Sequence, residues 1–205
     1  MFAGSEAADG VRRMLPISIA GIPEGVVFGA LAAGVIGHAA PVAMSVTAFS
    51  GGAQYATVSV LRDGGTLGAA LLAAAALNVR YLAMSASVPG RSRWHRAAAC
   101  LLLTDAAWGV ADGSRARLLG AGATDLVAWT LATVVGVFGG KVLGDPAALG
   151  LDAAFPALFV WLLRDHLGPL ALLGGALALV LTPVLAPGLP VLVAGLVAGA
   201  IGAAR

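Results

Sequence analysis

Glu24, Arg80 and Asp105 lie inside apolar stretches long enough to cross a bilayer. A charge at the centre of a spanning helix costs roughly 2.5–3.5 kcal/mol on insertion scales. Such a group needs an internal partner or a water-filled path, and that places it where polar solutes are handled. Glu24 follows Pro23, whose ring removes one backbone donor and frees a carbonyl a turn earlier. A carboxylate beside an open backbone group suits a cation, an ammonium group or a proton. The other reading is a helix start at the interface, where the dipole stabilises an acid.

Arg80 stands two residues after Asn78 and keeps its proton on burial. Its planar fork matches a carboxylate, which belongs either to a substrate or to Asp105 or Glu24. Asp105 follows Thr104, and burial and a nearby cation act on its charge in opposite senses. It is a candidate for proton coupling or for a fixed pair with Arg80. The run Phe49-Ser50-Gly51-Gly52-Ala53-Gln54-Tyr55 interrupts an apolar segment with small and polar residues. Gly51 and Gly52 weaken regular helix there and expose backbone groups. Gln54 offers donors and an acceptor, either to a substrate or to an interhelical hydrogen bond.

The elements that must position these residues are membrane helices. Hydrophobic residues make up 60% of the 205-residue chain and charged ones 11%, with a mean hydropathy of +0.95. A soluble domain carries about 25% charged residues. No dyad alternation of the kind a membrane β-barrel needs is present, so the crossings are helical. The net charge is +2 and the bases are scattered, which excludes a nucleic-acid partner. Cys100 is the single cysteine and cannot form an intrachain disulfide. Met1 to Gly10 lack a signal-peptide pattern, so the first apolar helix is expected to act as its own uncleaved signal.

Polar punctuation divides the chain into apolar segments at about Met14–Gly37, Val42–Leu61, Thr66–Val88, Ala97–Ala111, Leu126–Leu143 and Ala153–Leu163. A last run, Leu167 to Ala204, folds back at Ala186-Pro187-Gly188. The expected architecture is an all-α polytopic bundle of about seven or eight membrane segments, some short, broken or re-entrant. Residues 1–13 form a short polar segment and 14–205 a single transmembrane domain. Asp112 to Asp125 read as a polar connection. Gly21, Gly25, Gly29, Ala33 and Gly37 recur every four residues and form a ridge for close helix approach; Gly136/Gly140 and Gly195/Gly199 repeat the spacing. Arg12-Arg13 and the Arg91–Arg96 loop are both expected on the cytoplasmic side. Three plain crossings between them forbid this, so an interruption is expected in the first pair of segments, where Pro16 and Pro23 kink the chain.

His38, His95 and His166 have no metal-site spacing, and no nucleophile elbow, P-loop or dinucleotide fingerprint occurs. The expectation is a protein that is not an enzyme and has no metal or cofactor. Asp152 reads as a helix cap.

The ordered motifs carry more than each alone. Gly25-x-x-Phe28-Gly29, Phe49 to Tyr55, Leu77-Asn78-Val79-Arg80, Leu103-Thr104-Asp105 and Phe155-Pro156-Ala157-Leu158-Phe159 together resemble the AzlC-type branched-chain amino-acid permeases. The resemblance spans about Met14 to Ala200. It implies a multi-pass protein of the inner membrane that exports branched-chain amino acids with a small, hydrophobic AzlD-like partner subunit. The chain departs from the pattern at Tyr81, where histidine is usual, at Ala106, where an acid is usual, and at Ser50, where alanine is usual.

The expected function is a secondary transporter of small aliphatic amino acids, with proton coupling as one option. Arg80 and Asn78 hold the substrate carboxylate, with Gly51, Gly52, Gln54 and Tyr55 also lining the site. Glu24 or Asp105 meets the ammonium group or exchanges a proton, while Phe28, Phe49 or Tyr55 faces the aliphatic side chain. The alternative is a channel-like or scaffold subunit without amino-acid selectivity.

Overall fold

The computed structural model describes residues 2–88, 99–143, 167–185 and 189–203, and every regular element among them is an α-helix. In chain order these include α1 (Phe2–Ile36), α2 (Ala39–Thr47), α3 (Gly51–Arg62), α4 (Leu67–Asn78) and α5 (Arg80–Ala86). They continue with α6 (Asp105–Ala111), α7 (Arg115–Leu143), α8 (Pro169–Leu181) and α9 (Leu189–Ala203). Among the described residues, α1 and α7 are long and apolar enough to cross a membrane, over Gly4–Ile36 and Arg115–Gly140. Helices α4 and α5 pass that test only jointly, as a pair bent by 41°. The basic loop Arg91–Arg96, Asp152, the segment 153–163 with Phe155–Phe159, and the turn at 186–188 lie outside the described residues.

Helices α1 and α7 form the spine. Their partners rise together along the two sequences: Gly10 meets Arg117, Ser18 meets Asp125, Gly25 meets Ala132 and Ala30 meets Gly140. The helices therefore run parallel. The glycine ridge makes this seam possible, because a Cβ on Gly29 would strike the Thr133 carbonyl and one on Gly136 the Val26 carbonyl. Small residues let the backbones touch. Gly21, in the same row, has no such neighbour within 4 Å. Gly37 plays a different part, ending α1 with a φ of 76° that glycine adopts without penalty.

The polar start of the chain belongs to the same spine. Residues ahead of the apolar stretch form the first turns of α1, where Asp9 pairs with Arg13 at 2.9 Å and with Arg117 at 3.0 Å. Ser114 donates to Glu6 at 2.7 Å. Deeper in, the Ser45 and Thr133 hydroxyls meet at 2.9 Å and fasten α2 to α7.

Pro16 and Pro23 both lie inside α1, which continues through them. The interruption expected in the first pair of segments is present, but in the second of them and not at the prolines. A helix packed along its length tolerates a missing donor, whereas the Ser50-Gly51-Gly52 stretch breaks the second apolar segment into α2 and α3. Ala48 leaves the helical region and Ser50 is extended, with φ −162° and ψ 98°. The third segment bends at Val79. The fourth is broken before α6, where the Thr104 hydroxyl caps the new helix by accepting from the Ala107 N–H at 3.1 Å. Three breaks thus fall beside three polar motifs.

Helices α8 and α9 form an antiparallel hairpin, with Gly174 against Ala198 and Gly202 against Leu170. Leu172, Leu179, Val180 and Leu196 are exposed on it, as apolar residues in a bilayer are.

Candidate functional site

The helix breaks converge on a cavity of about 100 Å³ beside the α1–α7 seam. Helix α1 supplies Gly21 and Glu24, the start of α3 supplies Gly51 and Gly52, and α5 supplies Arg80 and Tyr81. Thr104, Asp105 and Ala106 enter from the start of α6, and Asp125 and Trp129 from α7. Glu24, Arg80, Asp105 and Asp125 thus line one space.

Arg80 and Asp105 form a two-pronged ion pair, with Nε donating to Oδ1 at 2.9 Å and Nη2 to Oδ2 at 2.7 Å. This is the planar match that arginine alone provides. About a third of each side chain remains accessible, 32% and 34%. The guanidinium also lies 5.1 Å from the Tyr81 ring centre, and the Tyr81 hydroxyl approaches Asp105 at 3.4 Å. Of the two readings for Arg80, the paired one describes this structure. Pairing does not exhaust the group: Nη1 and the second Nη2 hydrogen stay outside the bonds to Asp105, since a guanidinium carries five donors.

Glu24 is only 6% exposed, and its carboxylate has no hydrogen-bond partner among the described residues. Its backbone carbonyl accepts from the Tyr55 hydroxyl at 2.8 Å. Asp125 is the residue the sequence reading missed. It accepts from the Ser18 hydroxyl at 3.2 Å and from Thr104 at 3.0 Å. Assigned to a connection, it sits instead well within α7. The local signal is mixed: from Arg115 to Thr124 the chain has Ala, Leu and Arg and no proline, but also Gly120 and Gly122, which weaken helix. Thr104, Trp129 and Ser18 were likewise not singled out as site residues.

Gly51 and Gly52 line the cavity, while Asn78, Gln54 and Tyr55 stand behind its wall. Ser50 donates to the Asn78 side-chain oxygen at 2.8 Å. Gln54 is 1% exposed; it donates to the Ala48 carbonyl at 3.3 Å and accepts from the Trp129 indole at 2.8 Å. Its bonds therefore span the α2–α3 break and reach α7. Phe28 is edge-on to Tyr55, with ring centres 5.3 Å apart, and stacks on Trp129 at 5.9 Å. Phe49 lines the cavity and Phe28 does not.

This layer yields a direct expectation. Trp129→Phe keeps the ring stack but orphans the buried Gln54 oxygen, at a cost of about 1–3 kcal/mol. Thermal unfolding in detergent measures it. Adding Gln54→Leu to Trp129→Phe recovers part of the loss, because the orphaned side-chain oxygen is gone; the Ala48 carbonyl, which then loses its donor, keeps the recovery incomplete.

A family model described as AzlC protein matches residues 16–143, well over half of the chain. The match covers every described residue that lines the cavity. The comparisons with curated proteins and with solved structures gave no match.

Proposed function

The chain belongs to the AzlC family, whose members are membrane proteins of branched-chain amino-acid transport, and from that membership we propose that it is a secondary transporter exporting small aliphatic amino acids. The observation that carries this reading is the cavity, where Glu24, Arg80, Asp105 and Asp125 share one small space inside an apolar helical protein. Broken helices with polar groups at the break are how membrane proteins expose backbone and charge to a solute without exposing them to lipid.

In this reading Arg80 receives the substrate carboxylate on the Nη hydrogens that Asp105 does not use, while Asp105 holds the other edge of the guanidinium. Gly51 and Gly52, without side chains, let the substrate approach the start of α3. Asn78, Gln54 and Tyr55 keep that start in place. Phe49 and Trp129 offer apolar surface to the aliphatic side chain. Glu24 or Asp105 meets the ammonium group or exchanges a proton.

The full protein has about seven or eight membrane segments in a single transport domain, lies in the cytoplasmic membrane and works with a small hydrophobic subunit. The parallel α1 and α7 put Arg12, Arg13, Arg115 and Arg117 at one end of the spine, which the positive-inside rule places in the cytoplasm. Two parallel crossings require an odd number of crossings between them. The segments from Ala39 to Ala111 therefore make one net return.

Thermal stabilisation of the purified protein, with and without its small partner, tests the reading. At a hundredfold excess over Kd, a ligand that binds only the folded state stabilises by about 2.7 kcal/mol, or roughly 5–10 °C for a chain of this size. Valine, leucine and isoleucine are expected to give such shifts, and glutamate and lysine none. Absence of any shift favours the channel or scaffold alternative.

A further inference from the structure

The charges around the cavity do not balance. Arg80 is the one basic side chain among the described lining residues, and it is committed to Asp105 on two bonds. Glu24 and Asp125 are left as two further carboxylates without a basic partner among the described residues. Carboxylates this deep demand compensation, because an unpaired buried charge is costly. Ser18 and Thr104 donate hydroxyl hydrogens to Asp125 and orient it. Glu24 is more than nine-tenths buried, lines the cavity and receives no such donor among the described residues. Its carboxylate is thus the unmet acceptor of the site.

We propose that Glu24 and Asp125 together form the binding site for the substrate's α-ammonium group, in the cavity they share with the Arg80–Asp105 pair. The inference rests on the transport reading above and deepens it by assigning Asp125, from α7, to the substrate. A primary ammonium has three donors: Glu24 and Asp125 each take one, and the third remains for a carbonyl or water. The Arg80 side of the cavity then takes the carboxylate of the same α-carbon. An amino acid presents both charges on one small head, which matches a space of about 100 Å³ better than a peptide does. Occupation would tie α1 to α7 through the ligand, at the seam that supports the fold.

Binding to the full chain in detergent tests this, with L-leucine, isopentylamine (the amine without the carboxylate), 4-methylpentanoate (the acid without the amine) and sodium ions as probes. Wild type is expected to bind leucine best and isopentylamine more weakly. Glu24→Gln and Asp125→Asn are each expected to lower affinity for leucine and for isopentylamine roughly ten- to a hundredfold, as loss of a hydrogen bond to a charged group does. Neither should weaken 4-methylpentanoate. Glu24→Gln is the deciding variant, since the side chain makes no hydrogen bond within the described fold and its replacement removes none. Unchanged leucine and amine affinity in Glu24→Gln overturns the assignment while leaving the transport reading intact. Sodium binding that needs Glu24, with no response to the amine, overturns it in favour of an inorganic cation. Wild type that binds no aliphatic amino acid overturns both readings.

Discussion

Arg80→Ala abolishes transport of aliphatic amino acids in proteoliposomes and leaves a protein that still inserts. The expected loss of stability is about 2–3 kcal/mol, below the roughly 3–5 kcal/mol of a fully buried pair that loses one member. The discount follows from exposure, since about a third of each partner opens to the cavity. What remains is Asp105 facing Glu24 and Asp125 in one space, three carboxylates with no basic side chain among the described lining residues. A substrate carboxylate entering that space meets only like charge. The double variant Arg80→Ala with Asp105→Ala is expected to regain stability relative to Arg80→Ala alone, because the orphaned carboxylate is gone, yet not transport. Normal export by an inserted Arg80→Ala protein would remove Arg80 from the mechanism.

Gly136→Val has the largest expected effect on the fold. A Cβ at Gly136 would fall on the Val26 carbonyl and close to the Ala30 N–H, and backbone cannot move aside as a side chain does. Overpacking a core costs about 1–3 kcal/mol and occasionally more. Here the clash is with the backbone of the spine partner, so the upper end, about 3 kcal/mol or more, is expected. Gly139→Ala is the matched control on the same helix: nothing lies within 4 Å of its added Cβ, and alanine favours helix over glycine by about 0.5–1 kcal/mol. Thermal unfolding of the two variants in one detergent should separate them by roughly 7–16 °C, taking about 2–4 °C per kcal/mol. Equal midpoints would mean that α1 and α7 are not in close register.

The features legible in the sequence were those that violate the membrane's rules locally. Charges in apolar runs marked Glu24, Arg80 and Asp105, all of which line the cavity. The small-residue ridge at Gly25 and Gly29 announced a close helix contact, and Gly136 and Gly140 carried the answering spacing. The weak helix at Gly51-Gly52 marked a real break. What stayed hidden depends on partners far along the chain. Pro16 and Pro23 signal a kink by local rules, yet α1 continues because α7 lies beside it. Asp125 looked like the end of a loop, since nothing near it in sequence shows that Ser18 and Thr104 would supply its donors. Asn78, Gln54 and Tyr55 were visible as polar oddities, but their place behind the wall depends on Ser50, Trp129 and the Glu24 carbonyl.

The parallel spine also sets a timetable for biogenesis. Ser18 and Asp125 are 107 residues apart, and ribosomes add roughly 5–20 residues per second. Helix α1 therefore waits about 5–20 seconds in the membrane before its lifelong partner has been made. During that wait α2 and α3 can pack on it, but the row of glycines that will meet α7 stays uncovered. The nascent chain needs a holding site, in the insertion machinery or against a neighbouring subunit, for longer than a single ordinary helix does. Quality control would meet this protein first as a half-dressed α1.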